Sequence, residues 1–173
     1  AIAPQPRTFG DYDLLIALTT QVSATLIVTQ ASGPQVVTTR DGERLELTLS
    51  GAGQATLAYD QRPGSGVVIT PHTLTLQETN SKTDVQLRNL DNPGNIVLEQ
   101  IILDGSLAQL EFIGQVDTIS SVEGSKGTIK QVVLGDLLAS DAPNYYVKVL
   151  EAENLGDPNA FQADINLKGI WKL

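Results

Sequence analysis

The chain is expected to be all-β, an Ig-like or jelly-roll β-sandwich with an extended N-terminal arm. Three observations carry that expectation. Apolar and polar residues alternate through many short runs; turn-forming residues separate the runs at intervals of roughly 8 to 12 residues; and Thr, Val, Ile and Leu dominate within them. Alternation matters because side chains on a strand point to opposite faces in turn, so it selects one buried and one wet face. With 173 residues and 18.4 kDa, the chain can bury one core without disulfides. Residues 1–18 read as the arm and 19–173 as the sandwich.

The first seven residues, AIAPQPR, hold two prolines and no periodicity, so they can extend but cannot sit centrally in a sheet ladder. Tyr12 to Leu18 follows as an apolar run, either buried in its own sandwich or inserted into a neighbour's. Val22–Thr29, Gln35–Thr39, Arg44–Leu49, Gln54–Tyr59, Gly66–Thr70 and Thr73–Gln77 are the next strand candidates, punctuated by Ser32-Gly33-Pro34, Asp41-Gly42, Ser50-Gly51-Ala52-Gly53 and the Pro63-Gly64 turn. Asp41-Gly42 suits a two-residue type I′ turn joining a hairpin in which Leu45, Leu47 and Leu49 face inward.

Asp84 to Gly105 then reads as a second hairpin. Val85, Leu87 and Asn89 alternate with polar neighbours, Asp91-Asn92-Pro93-Gly94-Asn95 reverses the chain, and apolar residues resume at Ile96, Leu98, Ile101 and Leu103. Leu107–Ile113, Thr128–Leu134, Tyr145–Leu150 and Phe161–Leu167 complete the strands. One short helical turn is expected at Leu134–Ser140, where Leu134, Leu137 and Leu138 share a helical face.

Charge and sulfur content exclude several functions. The formal net charge is −9, from 20 acids and 11 bases, which is the opposite of the basic footprint that nucleic acid requires. No Cys is present, so thiolate ligation, disulfides and Cys nucleophiles are excluded. Met is absent too, which implies removal of a starting Met or a leader and, with Cys, removes the two side chains most easily oxidised. The longest apolar cluster, Leu14 to Leu18, is far short of the roughly 20 residues of a membrane span.

No catalytic constellation emerges. His72 is the single histidine, in a turn position after Pro71, and zinc would need further strong ligands around it. Ser65 and Ser125 lie in Gly-rich turns without the spacing of a nucleophile elbow, and no phosphate-cradling glycine loop opens a helix. Glu99 and Glu111 could form a carboxylate pair only if the fold set the required separation. Calcium is the candidate ion: Glu151, Glu153, Asp157 and Asn159, with Asp164 beyond them, gather oxygen ligands in one turn, and Asp91, Asn92 and Asn95 form a second polar cluster. Tyr145, Tyr146 and Trp171 could present rings on which sugars stack.

The runs VQLRNLDNPGNIVLEQIILDG and GTIKQVVLGDLLASDAPNYYVKVLEAENLGDPNAF resemble the Ig-like β-sandwich of secreted archaeal surface-filament proteins, pilin-like or thread-like subunits. The resemblance spans residues 84 to 167 and is one of strand types. It departs from pilins at the start, where two prolines, Gly10 and two aspartates replace a long apolar helix. It implies a secreted subunit at the cell surface that polymerises with identical copies by donating a strand. The donor would be the arm, through Ile2, Phe9, Tyr12, Leu14, Ile16 and Leu18. Head-to-tail contacts that do not close make fibres. A glycan-binding adhesin module, or a virion decoration or tail protein, would carry the same strand pattern.

Overall fold

A computed structural model describes residues 21–156 and 164–173. Eleven strands occur among them: β1 Val22–Val28, β2 Gln35–Thr38, β3 Arg44–Ser50, β4 Gln54–Gln61, β5 Val68–Thr79, β6 Asp84–Asn89, β7 Val97–Gly105, β8 Leu107–Ser121, β9 Gly127–Glu151, β10 Asn154–Leu155 and β11 Asp164–Lys172. All belong to one mixed sheet, and the described residues contain no helix. The all-β class is thus the one the alternation predicts.

The pairing differs from that of an Ig-like or jelly-roll sandwich, in which antiparallel strands form two sheets. Only the first part of the chain is antiparallel, in the pairs β1–β4, β4–β5, β2–β3 and β3–β6. From β7 onward every new pair is parallel: β5–β7, β6–β8, β7–β8, β8–β9, β9–β10 and β9–β11. This part advances like a solenoid. The first half of β8 lies beside β6 and its second half beside β7, so the strand bends from one arm of the sheet into the other. β9 repeats the bend, stacked on β8.

The stacking aligns side chains into inward columns. Across one arm, Leu26 lies opposite Leu57, then Leu74, Ile101, Ile119, Ser140 and Ile165 follow in register. Across the other arm run Leu47, Leu87, Phe112 and Leu134. Both columns feed a single core in which Leu57, Leu74, Leu87, Ile101 and Phe112 are fully buried. Each such side chain contributes about 1.5–3 kcal/mol relative to exposure.

The bends need glycine because neighbouring layers touch there. A Cβ on Gly114 would fall 2.5 Å from the Ile96 carbonyl oxygen, and one on Gly135 would fall 2.6 Å from that of Gly114. Backbone hydrogen bonds continue across the corner, from Gln115 N to Ile96 O at 2.9 Å and from Glu153 N to Gly135 O at 2.7 Å.

Three local expectations are corrected. Asp84 to Gly105 is not a hairpin: β6 lies between β3 and β8, and β7 between β5 and β8, so the connection at 90–96 carries the chain from one arm to the other. Residues 134–140 are strand within β9. Leu134 and Leu137 both face the core because the Gly135 corner between them resets the alternation, which imitates helical spacing in sequence. The β2–β3 hairpin does form, but around three residues. Thr39 N donates to Glu43 O at 2.8 Å and Gly42 N to Thr39 O at 3.0 Å, and only Gly42 of the loop has positive φ, +84°. That is a type I turn with a glycine bulge, the common three-residue alternative to type I′.

Candidate functional site

The two ends of the sheet are the most distinctive surfaces. Among the described residues β1 pairs only with β4 and β2 only with β3, while β10 and β11 pair only with β9. Interior strands hold their inward side chains almost free of solvent. The hydrophobic residues that pack on the core while remaining half-exposed are Ala24, Leu26, Val37, Ala152, Leu155, Ile165, Leu167 and Ile170. All but Ala152 sit in the end strands β1, β2, β10 and β11, and Ala152 directly precedes β10. Among the described residues, nothing covers the core at either end of the stack. Solenoids with such ends need caps or neighbours. The arm residues Ile2, Phe9, Tyr12, Leu14, Ile16 and Leu18, and the strand expected at Tyr12–Leu18, lie outside the described residues, as does Phe161.

The three aromatic candidates part company. Tyr145 is fully buried, and its hydroxyl accepts a hydrogen bond from Gly105 N at 2.9 Å while lying 2.8 Å from Ser125 Oγ. Its ring cannot stack a sugar; it anchors the turn before β9. Tyr146 and Trp171 are exposed, at 37% and 71%. Strand alternation produces this split, since consecutive residues of β9 face opposite ways. Lys168 Nζ lies 4.9 Å from the Tyr146 ring centroid and Lys148 Nζ 5.3 Å from that of Trp171, two cation–π pairs across β9 and β11.

His72 sits between two carboxylates. Its Nε2 is 2.8 Å from Asp60 Oδ2 on β4, and its Nδ1 is 3.0 Å from Glu99 Oε1 on β7. The Asp60 hydrogen bond, then that of Glu99, raises the His72 pKa above its ordinary value. Ser23 Oγ donates to Asp60 at 3.4 Å and makes no contact with the imidazole in that arrangement. Glu99 is thereby a partner of His72, whereas Glu111 accepts from Gln109.

The polar turn at Asp91–Asn95 also has an internal purpose. Glu43 accepts hydrogen bonds from Asn89, Asn92 and Asn95, at 2.6 Å for Asn89, and these hold its carboxyl below the usual carboxylate range. Arg44 binds Asp91 through two side-chain bonds, of 2.7 and 3.1 Å, and a backbone N–H at 2.8 Å. The arrangement staples the β2–β3 hairpin to the corner between β6 and β7. Of the calcium candidates, Glu151 accepts from Gln131 at 3.0 Å, and Glu153 uses its backbone N–H on Gly135. Asp157 and Asn159 lie outside the described residues, among which no three His, Cys, Asp or Glu side chains are grouped to hold a metal.

Sequence reasoning missed Lys126, Lys148 and Lys168, although a signal existed: five of the six lysines fall within residues 126–172. It also missed Asp60, Glu43 and Arg44, whose partners are 12, 46 and 47 residues away along the chain and are brought together by strand pairing. No helix among the described residues is long and apolar enough to cross a membrane. No protein-family model, curated protein or solved structure matches the chain.

Proposed function

We propose that the chain is a structural subunit that adds end to end to identical copies, building an extracellular filament, tube or sheath. The observation that carries this reading is the distribution of half-exposed core residues. Leu26 and Val37 at one end of the stack, and Leu155, Ile165, Leu167 and Ile170 at the other, continue the inward columns but lack a covering layer among the described residues. A neighbour's strand would cover them and satisfy edge N–H and C=O groups in the same step.

One end differs from the other, so the contact is head-to-tail, and it builds a fibre where the rotation from copy to copy does not close a ring. In this reading the N-terminal arm, with Ile2, Phe9, Tyr12, Leu14, Ile16 and Leu18, is the donated strand. The reading depends on open ends rather than on an Ig-like sandwich; a solenoid-like stack serves it equally well.

The test is electron microscopy and light scattering of the full chain over a range of concentrations, beside a variant lacking residues 1–18 and Ile27→Lys in β1. Ile27 is 51% exposed, and an edge lysine is a known barrier to strand addition. Polymers from the full chain, lost in both variants, are expected. A full chain that stays monomeric at every concentration overturns the proposal, and polymers unchanged by the deletion overturn the arm's part in it.

A further inference from the structure

The surface formed by β9 and β11 carries a second, separate feature. A groove of about 260 Å³ opens there, lined by Ser106, Lys126, Thr128, Asn144, Tyr146 and Lys168 with Gly127 at its floor. Among the described residues no carboxylate lines it, although acids outnumber bases 20 to 11 in the whole chain. The ion pairs of the described residues engage Arg40, Arg44, His72 and Arg88, so neither groove lysine is neutralised by a described carboxylate.

The groove is held in shape from below. A Cβ on Gly127 would lie 2.8 Å from both the Gly105 carbonyl oxygen and the Tyr145 ring, so the floor is packed without slack. The buried Tyr145 hydroxyl ties Ser125 and Gly105, which fixes the turn that presents Lys126. On the other wall, Tyr146 lies against β11 at Gly169, where an added Cβ would be 3.2 Å from the ring, and Lys168 sits over that ring. Ser106 Oγ accepts from Thr128 N at 3.1 Å, which leaves its O–H to donate. Trp171 is exposed farther along the same face of the strand.

We propose that this groove binds an acidic saccharide, a uronate-bearing oligosaccharide. Two ammonium groups face the carboxylates. Ser106, Thr128 and Asn144 offer hydrogen bonds to hydroxyls, and the Tyr146 and Trp171 rings offer apolar surface to sugar C–H faces. Duplex nucleic acid is the wrong class, because a surface of net charge −9 repels a ligand that carries one charge per about 1.7 Å of its axis. One carboxylate per sugar, interleaved with hydroxyls, matches two lysines set among neutral polar groups. The site faces outward from the sheet, and its Lys168 wall belongs to the end strand β11.

Isothermal titration of the full chain with tetragalacturonate, maltotetraose and sodium sulfate tests it. Saturable binding of tetragalacturonate is expected, weakened by added salt, with maltotetraose and sulfate at least about tenfold weaker, the loss of roughly one charge-assisted contact. Lys126→Gln with Lys168→Gln should lower affinity about tenfold or more, Tyr146→Ala should lower it, and Lys82→Gln, away from the groove, should leave it unchanged. Circular dichroism checks that the exposed lysine variants remain folded. Absence of saturation with tetragalacturonate, equal affinity for maltotetraose or for sulfate, or unchanged affinity in the double lysine variant each overturns the proposal.

Discussion

Ser140 stands opposite Ile119 in the inward column of the core, and it is the one position of that column where a hydroxyl replaces a hydrocarbon. On its other side, the register places Ile165. Ser140 is 3% exposed, and its Oγ has no hydrogen-bond partner among the described residues. An unpaired buried hydroxyl costs about 1–3 kcal/mol in lost hydration. Ser140→Ala removes that cost at the expense of a very small void. The expected outcome is a stabilisation of about 1 kcal/mol, read as a higher urea midpoint at unchanged slope. A lower midpoint would show that the hydroxyl has a partner after all.

Gly114 and Gly135 are expected to be the least replaceable residues of the corner. With a Cβ at 2.5 or 2.6 Å from a backbone carbonyl oxygen, alanine forces apart layers that are joined by backbone hydrogen bonds. Overpacking of this kind costs about 1–3 kcal/mol, and more where backbone rather than side chain must move. In a domain of this size each kcal/mol lowers the melting temperature by roughly 2–4 °C. Thermal melts of Gly114→Ala and Gly135→Ala should both fall in this way. Gly64→Ala serves as a comparison for open space, since nothing lies within 4 Å of its Cβ; its positive φ of +72° leaves only a local conformational cost.

These glycines also explain why the fold was only half legible in the sequence. Val85-Gln86-Leu87 and Leu98 to Leu103 were readable as strands because period-two alternation reports a buried face. Alternation does not report a strand's partner. A polar Pro-Gly connection serves a hairpin and a corner equally well, so the 84–105 segment reads as strands paired with each other, whereas each pairs with one earlier and one later strand. Parallel stacking leaves its mark at offsets of about one layer, such as Leu87 beside Phe112 and Phe112 beside Leu134, and those residues share no motif. Of the site residues, Tyr146 and Trp171 could be picked out by type. Their separation from Tyr145 needed the strand's phase, and the lysines beside them needed the pairing of β9 with β11.

The corner staple should make the protein sensitive to acid. Asn89, then Asn92 and Asn95, hold the Glu43 carboxyl below its ordinary 4.5, and Arg44, through side chain and backbone, holds Asp91 below 3.8. Groups with lowered folded-state values bind fewer protons when folded, so their contribution is present above the ordinary values and fades as pH falls through the lowered ones. Glu43→Gln keeps the shape but turns an amide toward three amides. Its stability should be lower than wild type at neutral pH, with the difference shrinking as both are taken below about pH 4. Denaturant midpoints measured across that range check this, and a difference that does not change with pH would refute it.

His72 should contribute in the opposite direction. Its pKa is raised above 6.5, first by the hydrogen bond with Asp60 and then by that with Glu99. A base with a raised folded-state value binds more protons when folded than when unfolded. Its stabilisation is therefore complete below the ordinary value and is lost as pH rises through the raised one. The imidazole joins β5 to both β4 and β7 on the outer face of the sheet, so loss of its proton leaves a single N–H donor for two carboxylate partners. Between about pH 6 and 8, wild-type melting temperature should decline while that of His72→Gln stays nearly level. Glu99→Gln, which removes the more exposed partner, should lessen the decline without abolishing it, because Asp60 remains. Parallel curves for wild type and His72→Gln over this range would mean that the acid–imidazole–acid bridge contributes nothing to the folded state's proton affinity.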